Sequence, residues 1–346
     1  MTSISIVILT INKHDYIQAQ IKYYADKPVK LIFADGSDTG WGHGSTGQSE
    51  QMTWEYFHLP GPDTYWLRLR ESLQRVDTEF VMLLDDEDCA LFSGITQAVQ
   101  FLHDHPDFAS AGGTTLQALS VKRRLGLAVS KKETAVQIND SSANLRLDKL
   151  FSDKRSAQLN YHVHRTRYLS KFANQIATLP TDIPITFAVR ALPTFCVLSG
   201  KWKAINYPFL IRRQLHTGTK VYVAPSGAMP SEVCQELAIR VCNALVEANI
   251  TLNEPTVSHQ IQSIAEKLLR RYSKSQTSTP NRASLWKRKL AKQFLFELFD
   301  VSPRIYKLIR PHGLKTIFEC SRLAGTDSPA LKKELIALEQ LWTRMS

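Results

Sequence analysis

Apolar residues fall along this chain in two rhythms. Ile4 to Leu9, Val29 to Ala34 and Phe80 to Leu84 are short, β-branched-rich apolar runs, the pattern of strands buried on both faces. Between them, apolar positions spaced by three and four run through Tyr16, Ile17, Ile21 and Tyr24, then from Tyr65 to Val76, and later from Gly94 to His103, which predicts helices. Strand, helix, strand in that order implies a βαβ unit and a parallel sheet. Further on, Phe108 to Gly113 predicts a short strand and Val121 to Ser156 a polar insertion without periodicity. Tyr161 to Leu169, Phe195 to Gly200 and Lys220 to Ala224 predict later strands or strand edges. The pattern changes around Pro225 to Pro230. From Ser231 onward it is helical, broken by the Ser/Thr/Pro-rich stretch Ser273 to Pro280 and by Pro303, Pro311 and Pro329. The expected organisation is an α/β domain over 1–228 and a helical region over 229–346.

Each apolar run stops in polar residues. The first ends in Thr10-Ile11-Asn12-Lys13, the second in Asp35-Gly36-Ser37-Asp38, the third in Asp85-Asp86-Glu87-Asp88. Open α/β sheets bind ligands at the carboxyl ends of their strands. A carboxylate after the second strand suits a base or ribose, and acids at i and i+2, such as Asp86 and Asp88, suit Mg²⁺ or Mn²⁺ against a diphosphate. The bland alternative for an acidic run is a solvated turn or a strand-end cap. The buried strand just before it weighs against that, because repulsion among carboxylates on a rigid element calls for a cation. Gly40 to Gly47 lacks the Gly-Lys-Ser/Thr ending of a phosphate-binding loop and is expected to be a mobile surface loop. His162 and His164 share one face of a presumed strand. With no third His or Cys nearby they are expected to be satisfied or surface histidines.

Ile6 to Lys13 with Tyr16, Ile32 to Ser37, and Thr78 to Asp88 resemble, in order and spacing, the large inverting GT-A glycosyltransferase superfamily. The chain is also similar to a bacterial family-2-like subgroup with a triple-acid metal motif, a later His-Arg pair and a Gly-Lys strand end. Those are here His164-Arg165 and Gly200-Lys201, with Arg212-Arg213 following. The likeness runs over residues 4–225 and is strongest before residue 110. It implies an α/β, GT-A (Rossmann-like) nucleotide-diphospho-sugar transferase domain with a helical C-terminal extension. By the same resemblance Thr10 and Asn12 shape the nucleotide pocket and Asp35, with Ser37 beside it, holds the base or ribose; Arg165, Arg212 and Arg213 are candidates for bidentate phosphate contacts, against the alternative of ordinary surface arginines. Asp86 and Asp88 bracket the metal, and Asp85 serves in either role. The implied reaction is metal-assisted, inverting transfer of a sugar from a nucleotide-diphosphate donor to a hydroxyl of a glycan or lipid-linked acceptor, in surface polysaccharide or glycoconjugate synthesis. Such a transfer needs a general base. Here the chain departs from its relatives, since Thr186 to Leu192 contains no carboxylate; the nearest acid, Asp182, is the expected base, against the alternative that it caps a helix or turn.

Charge adds a second theme. Of the net +11, almost all lies from Glu266 to Ser346, where 17 Lys and Arg face 7 Asp and Glu. Leu285 to Leu290 with Phe294 to Phe299 is basic, aromatic and helical in period, and either packs on the catalytic domain or lies peripherally on an anionic membrane. Nucleic acid is the weaker expectation, because the acidic cluster repels phosphate. Five scattered cysteines without a C-x-x-C pair fit reduced thiols in a cytoplasm. The opening residues predict a strand rather than a signal peptide, and no apolar run reaches the roughly 18 residues a membrane span needs. The expected location is cytoplasmic, including the inner face of the membrane. Two other readings stand beside the transferase. One is a sugar-phosphate nucleotidyltransferase, against which Thr10 to Lys13 lacks the glycine-rich loop. The other is a non-catalytic nucleotide-sugar or nucleic-acid binding protein.

Overall fold

The computed structural model describes residues 4–61, 65–121, 124–129, 137–152, 156–178, 191–213, 231–248, 259, 261–269 and 328–343. In chain order the elements are β1 (Ile4–Thr10), α1 (His14–Tyr24), β2 (Val29–Asp35), β3 (Thr46–Gln48), β4 (Thr53–His58), α2 (Tyr65–Gln74), β5 (Phe80–Asp85), β6 (Cys89–Ala90) and α3 (Phe92–Asp104). Next come β7 (Phe108–Val121), β8 (Arg124–Val129), α4 (Ala143–Ser152), β9 (Val163–Arg165), α5 (Thr166–Ile176), α6 (Ala191–Ser199), β10 (Lys201–Arg213), α7 (Ser231–Glu247) and α8 (Pro329–Thr343).

The strands form one sheet in the order β3-β4-β2-β1-β5-β9-β7-β10-β6, with β8 on β7. Strands β4, β2, β1 and β5 are parallel, as are β7 and β10. The short β9 joins the two parallel sets by pairing antiparallel with β5 and β7. The apolar runs are continuous because both faces of the sheet are covered. From β1, β2 and β5, Ile4, Ile6, Ile8, Leu31, Phe33, Met82 and Leu84 enter one core with α1, α3 and α8. Val7, Ile32, Val81 and Leu83 enter the other, against α2, α5, α6 and α7. This is a mixed α/β fold with a mostly parallel central sheet and helices toward the C-terminus. No helix among the described residues is long and apolar enough to cross a membrane.

Several sequence expectations are corrected. Tyr161 to Leu169 holds only the three-residue β9 before turning into α5, whose Leu169, Phe172, Ala173 and Ile176 recur at helical spacing and are all buried. Ala191–Ser199 is a helix rather than a strand; its residues from Ala191 to Leu198 are buried whichever way they point, so they carry no period to read. Gly200-Lys201 opens β10 rather than ending a strand, and β7 runs to Val121, well past Gly113. The insertion from Val121 contains β8 and α4. The loop expected to be mobile is anchored: Trp41 is buried and its backbone N–H donates to the Tyr56 hydroxyl across 2.6 Å. Lys220 to Ala224, Ser273 to Pro280, Leu285 to Phe299 and the expected boundary at 228/229 lie outside the described residues. Beyond that boundary, α7 and α8 each pack into one of the two cores rather than forming a third.

Candidate active site

Strand register brings the three polar stops together. Thr10 lies opposite Asp35 and Leu9 opposite Asp85, so the ends of β2, β1 and β5 meet along one edge. The Thr10 hydroxyl donates to Asp86 Oδ2 across 2.8 Å. Asn12 takes a left-handed backbone (φ 56°), a conformation asparagine tolerates better than most residues, and its N–H donates to Ser37 Oγ across 2.7 Å. Thr10, Asn12, Asp35, Ser37 and Asp86 are therefore neighbours although they come from three separate segments.

Asp35 is fully buried. Burial favours its neutral form, but donors outweigh that and hold the carboxyl below its ordinary value. The Ser37 N–H (2.9 Å) and hydroxyl donate to Oδ1, while the Tyr56 hydroxyl (2.7 Å) and His14 Nε2 (2.8 Å) donate to Oδ2. Four donors use the full accepting capacity of a carboxylate. Direct contact between Asp35 and a base or ribose is thus not available in this arrangement. Instead Asp35 orients His14 and the Asn12–Ser37 pair. Beneath it, the buried Arg68 donates to the Thr10 carbonyl across 3.0 Å.

The acidic turn is held from two sides. Lys13 Nζ sits 3.2 Å from Asp86 Oδ1 and 2.7 Å from Glu87 Oε2. Burial works against its charge, but those two acids outweigh it and raise the Lys13 pKa. Arg212 Nε donates to Asp88 Oδ2 and the Arg213 N–H to Asp88 Oδ1, each across 3.1 Å. Burial raises the pKa of both Asp86 and Asp88 against these partners. From α1, Gln20 Nε2 donates to the carbonyls of Asp86 (3.1 Å) and Asp88 (2.6 Å). Asp85 is the half-exposed acid of the run; it accepts from the Tyr161 hydroxyl across 2.7 Å and lies 3.7 Å from Arg212.

This geometry bears on the metal expected at Asp86 and Asp88. All four of their oxygens already accept from Thr10, Lys13, Arg212 and the Arg213 N–H. Among the described residues no group of three or more His, Cys, Asp and Glu side chains is arranged to hold a metal ion. The pair does not by itself make a cation site: its donors already take half of each carboxylate's accepting capacity, and no third ligand is arranged with them among the described residues.

The other candidates divide cleanly. His162 and His164 are buried and neutral, their pKa values lowered by burial to about 3 and about 4; His162 Nδ1 accepts from the Trp202 indole across 2.8 Å. Arg165 is structural, donating to the Phe108 and Leu102 carbonyls and pairing with Glu79. Asp182 lies outside the described residues. Sequence reasoning assigned no role to Lys13, His14, Gln20, Tyr56, Arg68 or Tyr161. Lys13 and His14 stood beside Asn12 and were open to notice; Gln20 follows on α1, and Tyr56, Arg68 and Tyr161 reach the site from elements far along the chain.

Beside these groups opens a cleft of about 540 Å³ lined by Asn12, Lys13, His14, Asp15, Tyr16, Asp38 and Thr39. Its wall is the loop after β1, the start of α1 and the turn after β2.

Comparison with known proteins adds the fold. No family model and no curated protein matches the chain. Residues 1–349 of S. aureus TarS, solved in complex with UDP-GlcNAc, match at 13% identity with a TM-score of 0.51, covering 99% of this chain and 92% of that one. The same TarS piece in complex with UDP matches at 14% identity with a TM-score of 0.50 and the same coverage. The chain spans 43% of a longer S. aureus TarS chain. At this identity the likeness carries the architecture alone: a mixed α/β domain with a mostly parallel central sheet and C-terminal helices.

Proposed function

We propose that the chain transfers a sugar from a nucleoside-diphosphate donor to a hydroxyl of a glycan or glycolipid, with inversion. The observation that carries this reading is the meeting of Thr10, Asp35 and the Asp85–Asp88 turn at three neighbouring strand ends, with Lys13 on the wall of the adjoining cleft. The TarS structures with UDP and UDP-GlcNAc support the same ligand class for this fold.

In this reading His14, Asn12 and Tyr16 line the nucleotide's place, and Asp35 acts through the first two. The Lys13 ammonium faces the diphosphate, and Arg212 meets phosphate beside Asp85. As the acceptor oxygen bonds to the anomeric carbon, the bond from that carbon to the diphosphate oxygen breaks. The leaving group then departs with the charge that Lys13 and Arg212 neutralise. A base takes the acceptor proton, and we keep Asp182 in that role. No step is routed through a metal.

The test is direct. Incubation with UDP-linked and GDP-linked sugars should release nucleoside diphosphate at a rate that rises with a glycan acceptor and falls by about 10²-fold or more in Asp182→Asn. Unchanged turnover in that variant removes the base assignment, and release from no donor removes the transferase reading. A lipid-linked acceptor reached through the basic region from Glu266 to Ser346 is the membrane half of the proposal; co-sedimentation with anionic but not neutral vesicles is its expected signature.

A further inference from the structure

A second cleft, of about 380 Å³, opens farther along α1, and its wall chemistry differs from that of the first. One side is the α1 face carrying Gln18 and Lys22, both exposed and four residues apart, hence neighbours on the helix. The other is a corner of rings. Trp41 and Trp54 stand with centroids 5.5 Å apart at 60°, and Trp41 and His43 5.1 Å apart at 53°. Gly47 pairs with Trp54 across the β3–β4 ladder, and a Cβ there would lie 2.4 Å from the indole. Only glycine lets that indole lie across its partner strand. The Trp41 indole N–H is buried without a hydrogen-bond partner.

The wall excludes most ligand classes. Among the described residues it holds no carboxylate to bind a cation and a single lysine to meet an anion. A purely apolar ligand would leave the Gln18 and Gln48 amides facing carbon, at a desolvation cost. What remains is a neutral ring with a C–H face for the partly exposed Trp54 indole, which Trp41 backs from the core, and hydroxyls for the amides. We propose that this cleft is a saccharide subsite that holds a sugar unit of the glycan away from its reacting end. The same loop walls both clefts, through Asp38 and Thr39 on one side and Trp41 and His43 on the other. The Trp41 backbone N–H reaches Asp35 through the Tyr56 hydroxyl. A glycan seated here is therefore one loop away from the nucleotide's place. Its role as acceptor rests on the transferase reading; its binding does not.

Saturation-transfer NMR with millimolar triacetylchitotriose and cellotriose, recorded with saturating UDP, tests the subsite. Transfer to sugar C–H protons is expected for at least one of them, lost in Trp54→Ala and weakened severalfold in Gln18→Leu, an exposed helix position that leaves the fold intact. UDP affinity, titrated on the same samples, should stay within twofold. Absence of transfer for both sugars, or transfer that survives both substitutions, overturns the proposal. Sugar binding by a protein that takes up neither UDP nor GDP would instead sink the transferase reading and leave the subsite standing.

Discussion

Arg212 and Asp88 lie 124 positions apart in sequence, yet Arg212 Nε donates to Asp88 Oδ2 across 3.1 Å, tying the end of β10 to the turn after β5. Asp88 is 2% exposed, so its partner cannot be removed cheaply. Arg212→Leu should destabilise the fold by about 1–3 kcal/mol, toward the low end because Arg212 itself is partly exposed. Urea denaturation reads this directly, and a variant as stable as the wild type would show that Asp88 does not depend on Arg212.

Gly36 is the turn residue after β2, and a Cβ there would lie 1.6 Å from Arg68 Nη1 and 2.3 Å from its Cζ. Arg68 is buried and held by the Thr10 carbonyl, so it has little room to withdraw. Gly36→Ala should cost about 1–3 kcal/mol through overpacking and disturb nucleotide binding as well. Thermal melting and a UDP titration measured together check both effects.

The buried histidines give the protein an acid limit. His162 and His164 have folded pKa values of about 3 and about 4, below the roughly 6.5 of an unfolded histidine. Their neutral forms are free of penalty above that pH. As pH falls through it the unfolded chain takes up protons that the folded chain refuses, so stability drops until the folded values are reached. Near pH 5 each histidine should cost about 2 kcal/mol. Comparing urea midpoints at pH 7.5 and pH 5 in wild type and His164→Gln isolates one share; an identical pH dependence would contradict the assignment.

Glu334 of α8 caps a helix that cannot cap itself. Leu91, at the start of α3, offers no side-chain acceptor, and Glu334 accepts from the N–H groups of Phe92 (2.8 Å) and Ser93 (3.1 Å) and from the Tyr23 hydroxyl (3.1 Å). A carboxylate also suits the positive end of the helix. Glu334→Ala should lower stability by about 1–3 kcal/mol. A melting temperature unmoved by this change would mean that α8 does not brace the α/β domain.

How much of this was legible in the sequence depended on distance along the chain. Strands β1, β2 and β5 declared themselves because their apolar runs are continuous, and the polar residues that stop them formed the site. Strands β3 and β4 did not, since Thr53–His58 is only partly buried and its aromatic residues show no clean alternation. Helix α6 read as a strand because it is apolar all round. Donors to Asp35 and Asp88 were hidden for another reason. Tyr56 and Arg212 reach them only through the pairing of β4 with β2 and of β10 with β6, which no local pattern specifies. The acidic pair was legible, but not that its charge is already answered, for Asp88 by Arg212 and the Arg213 N–H and for Asp86 by Thr10 and Lys13.

Calorimetric titration of UDP and GDP into the protein and its Lys13→Ala variant, each with Mn²⁺ and with chelator, tests the central claim most directly. The account predicts that at least one nucleotide binds, and that Lys13→Ala weakens it by about 10- to 100-fold, as loss of a charge-assisted hydrogen bond should, while the melting temperature falls only modestly, Asp86 keeping its Thr10 donor. Binding that Lys13→Ala leaves untouched, or no binding of either nucleotide in any condition, would contradict a diphosphate site at these strand ends.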